Sequence, residues 1–103
     1  MIKFTVVTCT YNAEKELQRT LDSVQRQTYC SIEHIIMDGG SRDRTLQLVK
    51  AYQHRNAVGE SSHEIVVVSE PDKGLYDAMN KSIDRATGDY LVFMNAGDTF
   101  PTD

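Results

Sequence analysis

The chain has no tryptophan, two prolines, two cysteines and no surplus of positive charge. Each shortage closes a class of reading. A net charge of −4 gives no electrostatic ground for expecting nucleic acid, which is met by a basic patch. The acidic excess is compatible instead with a site that holds a divalent cation. Apolar runs are short, the longest being Ile65–Val68 and Leu91–Met94, so a transmembrane segment is not expected. The opening Met-Ile-Lys-Phe-Thr-Val-Val enters a strand pattern directly and carries no signal-peptide architecture. Cys9 and Cys30 lack metal-ligand spacing and read as two reduced thiols of a cytoplasmic protein. His34, His54 and His63 are too scattered to announce a ligand cluster. At 103 residues, 40% of them hydrophobic, the chain suits one small domain that no repeat, linker or low-complexity tract divides.

What is present is rhythm. Four apolar, β-branched runs, Phe4–Thr8, Ile32–Met37, Ile65–Ser69 and Tyr90–Met94, are nearly continuous rather than alternating. Strands buried on both faces of a parallel sheet read this way. Three helical patterns lie between them. The first starts near Ala13 and carries Leu17, Leu21 and Val24; the second follows Asp43 and carries Leu46, Val49 and Tyr52. The third aligns Leu75, Ala78, Met79, Ile83 and Ala86, and Gly88-Asp89 ends it. The βαβαβαβ order predicts an α/β, three-layer Rossmann-like fold with helices on both faces of a mostly parallel four-stranded sheet, strand order 3-2-1-4. The carboxyl ends of strands one and four would then flank the crevice in which open α/β sheets bind ligands.

The polar residues gather at those strand ends. In Thr8-Cys-Thr-Tyr-Asn12, Asn12 suits a helix N-cap, and Tyr11 suits stacking on a flat base, worth ~1–3 kcal/mol. The glycine fingerprints of dinucleotide sites and P-loops are missing there. After strand two, Ser41 and Asp43 are accounted for as caps of the next helix. Asp38 is not; it ends the strand facing the crevice and suits an imide N–H such as uracil N3. After strand three, Pro71 and Gly74 shape a turn, while Lys73 either reaches an anionic ligand or is simply solvated. The Asn95-Ala-Gly-Asp98 turn is a metal candidate, since Mg²⁺ and Mn²⁺ accept one carboxylate completed by phosphates and water. An acidic turn with no further role is an equally available reading.

Taken together, four stretches resemble the family 2 inverting glycosyltransferases of the GT-A fold. They are Val6-Val-Thr-Cys-Thr-Tyr-Asn12, Ile36-Met-Asp-Gly-Gly-Ser-Arg-Asp-Arg-Thr45, Glu70-Pro-Asp-Lys-Gly-Leu-Tyr-Asp-Ala-Met-Asn80 and Ala86-Thr-Gly-Asp-Tyr-Leu-Val-Phe-Met-Asn-Ala-Gly-Asp98, in the family's order and spacing. The resemblance implies a nucleotide-sugar donor, commonly a UDP-sugar, a saccharide or lipid-linked acceptor, and a divalent Mn²⁺ or Mg²⁺ ion. It implies transfer with inversion, in surface polysaccharide synthesis. The residues matching the donor-nucleotide site are Thr8, Thr10, Tyr11, Asn12, Asp38, Lys73, Asn95, Ala96 and Gly97, with Tyr11 against the base, Asp38 on its imide edge and Asp98 on the metal.

Two departures shape the expectation. The family's acidic motif usually carries two or more aspartates, whereas Asn95 and Gly97 leave Asp98 alone here. The family's general base and acceptor half lie downstream of this motif, beyond Asp103. The 103 residues are therefore expected to be one domain, the N-terminal nucleotide-binding portion of a longer catalytic domain, binding donor but silent alone. The parent is expected in the cytoplasm, peripheral at the inner face of the membrane. A stand-alone nucleotide-binding module is the alternative. A phosphoacceptor receiver domain shares the rhythm but needs an acidic pair where Thr10-Tyr11-Asn12 stands. The outer edge of strand four is expected to invite self-association.

Overall fold

A computed structural model describes residues 2–27, 31–58, 63–70 and 75–100. Cys30, Pro71, Lys73 and Gly74 lie outside the described residues. The elements are β1 (Phe4–Thr10), α1 (Leu17–Gln25), β2 (Ile32–Asp38), α2 (Thr45–Val58), β3 (Glu64–Ser69), α3 (Leu75–Arg85) and β4 (Tyr90–Phe93). All pairings are parallel, and the sheet order is β3-β2-β1-β4, as the βαβ rhythm predicts. The register sets Thr10 beside Asp38 and Asp38 beside Ser69, so three polar residues meet at the carboxyl edge of the sheet.

Alternation along the strands sorts the core into two layers. Ile36 packs with Leu17 and Leu21 of α1 and with Val49 and Tyr52 of α2. Val7, Ile35 and Met37 point the other way, toward Ala86 just beyond α3. Helices therefore cover both faces. Fully burying a leucine or isoleucine is worth ~1.5–3 kcal/mol, which concentrates the stability of the fold in β1, β2 and the faces packed on them.

Three expectations are corrected. The first helix begins at Leu17 rather than Ala13; residues 14–16 form a turn closed by the Leu17 N–H on the Ala13 carbonyl, 2.9 Å. Strand four is not buried on both faces: Tyr90, Leu91 and Phe93 are 57%, 37% and 39% exposed, because among the described residues β4 pairs with β1 alone. On α3, Ile83 is 51% exposed and Ser82 is buried instead. The Ser82 hydroxyl satisfies itself on the Met79 carbonyl at 2.6 Å, which lets a polar residue occupy the inner face.

The amino edge of the sheet is locked by a polar network. The Thr5 hydroxyl donates to the buried Glu33 carboxylate at 2.9 Å and accepts the Gly88 N–H at 2.9 Å. Glu33 also takes the Thr87 N–H and hydroxyl, both at 3.0 Å. Burial raises the Glu33 pKa, but the bonds from Thr87 and Thr5 outweigh it and hold the carboxyl below its usual range. A Cβ on Gly88 would stand 2.4 Å from the Thr5 hydroxyl, so only glycine allows the entry to β4 this close to β1. This clamp fixes β4, and hence where its carboxyl end delivers Asn95 to Asp98.

Candidate functional site

At the carboxyl edge, Asp38 is the hub. Its Oδ1 accepts the hydroxyls of Ser41 (2.5 Å) and Thr10 (2.8 Å). Its Oδ2 accepts the N–H groups of Gly40 (3.0 Å) and Ser41 (2.8 Å) and the hydroxyl of Ser69 (3.0 Å). Five donors on a side chain that is 2% exposed more than fill the roughly four lone-pair directions of a carboxylate. Burial alone would raise its pKa; the Ser41, Thr10 and Ser69 bonds reverse the sign, leaving the group below the ordinary aspartate value. Asp38 therefore braces the ends of β1, β2 and β3 together.

The loops after β1 and β2 are laced to each other. Asn12 stands in the left-handed region (φ 48°), a conformation that asparagine tolerates. Its N–H donates to the Ser41 hydroxyl at 2.8 Å, and its Oδ1 accepts the Arg42 N–H at 2.8 Å. One residue on, the Ala13 N–H donates to the Thr45 hydroxyl at 2.8 Å. Asn12 thus bridges loops instead of capping α1, and Ser41 serves Asp38 rather than capping α2. Asp43 does support the start of α2, accepting the Thr45 N–H at 2.9 Å. Next to this lacing Tyr11 is 63% exposed, an aromatic face open to solvent.

Thr8 and Thr10 are both buried. Thr10 holds Asp38, while the Thr8 hydroxyl lies 2.8 Å from Nε2 of His34, whose Nδ1 lies 2.8 Å from the Tyr52 hydroxyl. This buried Thr8–His34–Tyr52 chain, which sequence spacing does not reveal, ties β1, β2 and α2 beneath the crevice. Burial, then the charge of His63, lowers the His34 pKa to about 3, so the ring stays neutral at physiological pH.

Beyond β4, the turn from Asn95 to Asp98 is closed by the Asp98 N–H on the Asn95 carbonyl, 2.9 Å. Gly97 adopts φ 101°, a left-handed conformation that glycine reaches without strain. The N–H of Asn95 returns to Oδ2 of Asp98 at 3.0 Å. Both Asn95 and Asp98 are exposed, and Ala96 packs against the α1–α2 core. Among the described residues, no three His, Cys, Asp or Glu side chains come together as a metal cluster. Asp38, consumed by five donors, has no lone pair to lend. Of the carboxylates in this edge's described turns, the exposed Asp98 could offer a hard cation one ligand, with the remaining oxygens from phosphates and water.

The fold thus brings Thr10, Tyr11, Asn12 and Asp38 to one carboxyl edge and sets the Asn95–Asp98 turn beyond the neighbouring strand. Lys73 lies outside the described residues. Besides the His34–Tyr52 pair, sequence reasoning missed the hydroxyls of Ser69 and of Thr20 and Ser23 on α1, whose partners are far away in sequence, and read Ser41 as a cap rather than as a donor to Asp38.

The glycosyl transferase family 2 model matches residues 5–103. A PGL/p-HBAD biosynthesis glycosyltransferase of Mycobacterium bovis is 36% identical over 96 residues, covering 93% of this chain and 36% of that protein. The chain therefore spans about a third of the length of the curated relatives it matches. Among solved structures, the mannosyltransferase PcManGT of Pyrobaculum calidifontis, in complex with GDP-Man and Mn²⁺, superposes with a TM-score of 0.86 at 25% identity, over 98% of this chain and 29% of that one. The S. aureus protein TarS (1-349), in complex with UDP-GlcNAc, gives 0.78 at 26% identity, over 95% of this chain and 27% of that one.

Proposed function

The chain belongs to glycosyl transferase family 2, and we propose that it supplies the donor-nucleotide side of an inverting transfer from a nucleotide-sugar to a saccharide or lipid-linked acceptor. The observation that carries the reading is the laced pair of loops at the braced carboxyl edge of the sheet, in which Tyr11 is exposed next to the hydrogen-bonded Asn12. The nucleotide-sugars bound in the two solved neighbours, GDP-Man and UDP-GlcNAc, support it.

In this reading Tyr11 stacks on the base and the Asn12–Arg42 lacing fixes the height of that platform. Thr10 and Asp38 form the floor, with Thr8 and His34 holding β1 from below. An imide N–H that reaches Asp38 takes the place of one of its hydroxyl donors, Ser41 or Ser69. Lys73 is assigned to the anionic part of the donor, and the main chain of Asn95, Ala96 and Gly97 to the diphosphate end. Bound at Asp98, Mn²⁺ or Mg²⁺ would offset the charge that grows on the departing diphosphate. An acceptor hydroxyl, deprotonated by a carboxylate base, attacks the anomeric carbon opposite that leaving group, which inverts the centre.

We further propose that the chain is the N-terminal nucleotide-binding portion of a longer catalytic domain serving surface polysaccharide synthesis in the cytoplasm, at the inner face of the membrane. No described helix is long and apolar enough to cross a membrane. The test is calorimetric titration with UDP, GDP and dTDP, with and without Mn²⁺. Binding of one nucleoside diphosphate, tightened by the ion, is expected; no binding of any of the three would overturn the proposal.

A further inference from the structure

We infer that Thr20, on α1, is a positioning residue that aims the Asp98 carboxylate; the inference rests on the assignment of Asp98 to the metal. Thr20 is fully buried, and a threonine inside a helix ordinarily spends its hydroxyl on a carbonyl of its own preceding turn. Here the hydroxyl leaves the helix. It accepts the Gly97 N–H at 2.8 Å and donates to the Asp98 carbonyl at 2.7 Å, with the Asn95 carbonyl a longer second acceptor at 3.3 Å. One helical turn later, the Ser23 hydroxyl accepts the Phe100 N–H at 2.7 Å.

Asp98 is held at every main-chain polar atom. Its N–H is on the Asn95 carbonyl, its carbonyl takes the Thr20 hydroxyl, and its Oδ2 takes the Asn95 N–H. Only the second carboxylate oxygen accepts nothing among the described residues. A turn with φ 101° at Gly97 has other conformations open to it, and the Thr20 hydroxyl selects one by gripping both sides of the Gly97–Asp98 link. A lone carboxylate must be well placed, because no second aspartate in the turn corrects an error and small divalent ions demand near-ideal geometry.

Thr20→Val keeps the shape and burial of the side chain and removes all three hydroxyl contacts. The measurement is UDP affinity by calorimetry with and without Mn²⁺, for wild type, Thr20→Val and Thr20→Ser, each first shown to be folded by circular dichroism and thermal melting. Expected for Thr20→Val is unchanged metal-free UDP affinity with a Mn²⁺-dependent gain cut about 10-fold or more, the size of effect that groups orienting a metal ligand usually have. Thr20→Ser should restore the gain. Should Thr20→Val not fold, Thr20→Ala removes the same hydroxyl with a smaller side chain, and the same selective loss is expected. A folded variant that keeps the full Mn²⁺-dependent gain overturns the inference alone. So does one that loses metal-free affinity equally. A wild type that binds UDP without regard to Mn²⁺ overturns the inference and the metal assignment, leaving the nucleotide reading; one that takes GDP or dTDP in place of UDP is compared with its variants on that nucleotide, and one that binds none of UDP, GDP and dTDP overturns all three.

Discussion

Acidification from pH 7 to pH 5 should weaken the fold through one buried ring. His34 is 0% exposed, with Thr8 and Tyr52 hydroxyls 2.8 Å from its two nitrogens. A neutral imidazole meets two hydroxyls as one donor and one acceptor, whereas an imidazolium would present donors to both. Burial, and after it His63, lowers its pKa from the ordinary 6.5 to about 3. The unfolded chain therefore takes up this proton first. Stability is complete above 6.5 and falls as pH drops below it, until the folded ring titrates near about 3. At ~1.4 kcal/mol per unit, the loss between pH 7 and pH 5 is ~2 kcal/mol. Glu33 and Asp38, both held below the carboxylate range, stay largely ionised folded and unfolded in that window and weaken the fold mainly at lower pH. Urea unfolding of wild type and His34→Gln at pH 7, 6 and 5 isolates the ring, since glutamine keeps hydrogen-bonding capacity and does not titrate. The wild type should lose ~2 kcal/mol more than the variant across the series. Parallel pH profiles for the two proteins would refute the reasoning, because the folded ring would then titrate as freely as the unfolded one.

Asp38→Ala strands five donors and should weaken UDP binding by roughly 1.5–3 kcal/mol, the range for hydrogen bonds to a charged group; unchanged affinity by calorimetry would remove Asp38 from the site. Gly88→Ala forces a Cβ to within 2.4 Å of the Thr5 hydroxyl and 2.8 Å of the Thr5 amide nitrogen, so a loss of ~1–3 kcal/mol in denaturant unfolding is expected, and a variant as stable as wild type would mean that the β4 entry is not tightly packed. The open edge of β4, with Tyr90, Leu91 and Phe93 exposed, should drive concentration-dependent association in sedimentation velocity, reduced by Leu91→Lys; a monodisperse wild-type monomer at high concentration would count against it.

The architecture was legible in the sequence because it depends on properties that neighbours in the chain reveal. Four short apolar runs alternating with helical stripes leave few topologies once crossovers must be right-handed, and β3-β2-β1-β4 is what forms. Periodicity failed where a residue's type and its solvation part company. Ile83 fits the α3 stripe yet is half exposed, and Ser82 is buried because its hydroxyl is satisfied within the helix. The continuous run at β4 reads as a strand buried on both faces, although the order 3-2-1-4 already puts it at an edge, because apolar continuity does not register the missing second neighbour. Local capping rules misassigned Asn12 and Ser41, since nothing nearby in sequence says that the β1 and β2 loops lie close enough to bond each other.

The site shows the same division more sharply. Sequence reasoning gave weight to carboxylates and an aromatic, Asp38, Asp98 and Tyr11, because their chemistry is specific at short range. The structure aims two of these through hydroxyls: Thr10, Ser41 and Ser69 on Asp38, and Thr20 on the Asp98 turn. A threonine at a strand end or on a helix face looks like ordinary filler, and its partner is chosen only when the elements meet, 28 residues away for Thr10 and 77 for Thr20 with Gly97. Removing such a hydroxyl leaves the apolar core intact while loosening what it holds. Substitutions at Thr10, Ser69 and Thr20 should therefore change ligand affinity out of proportion to stability, whereas those at Thr5 and Thr8, whose partners are Glu33 and His34, should change stability first.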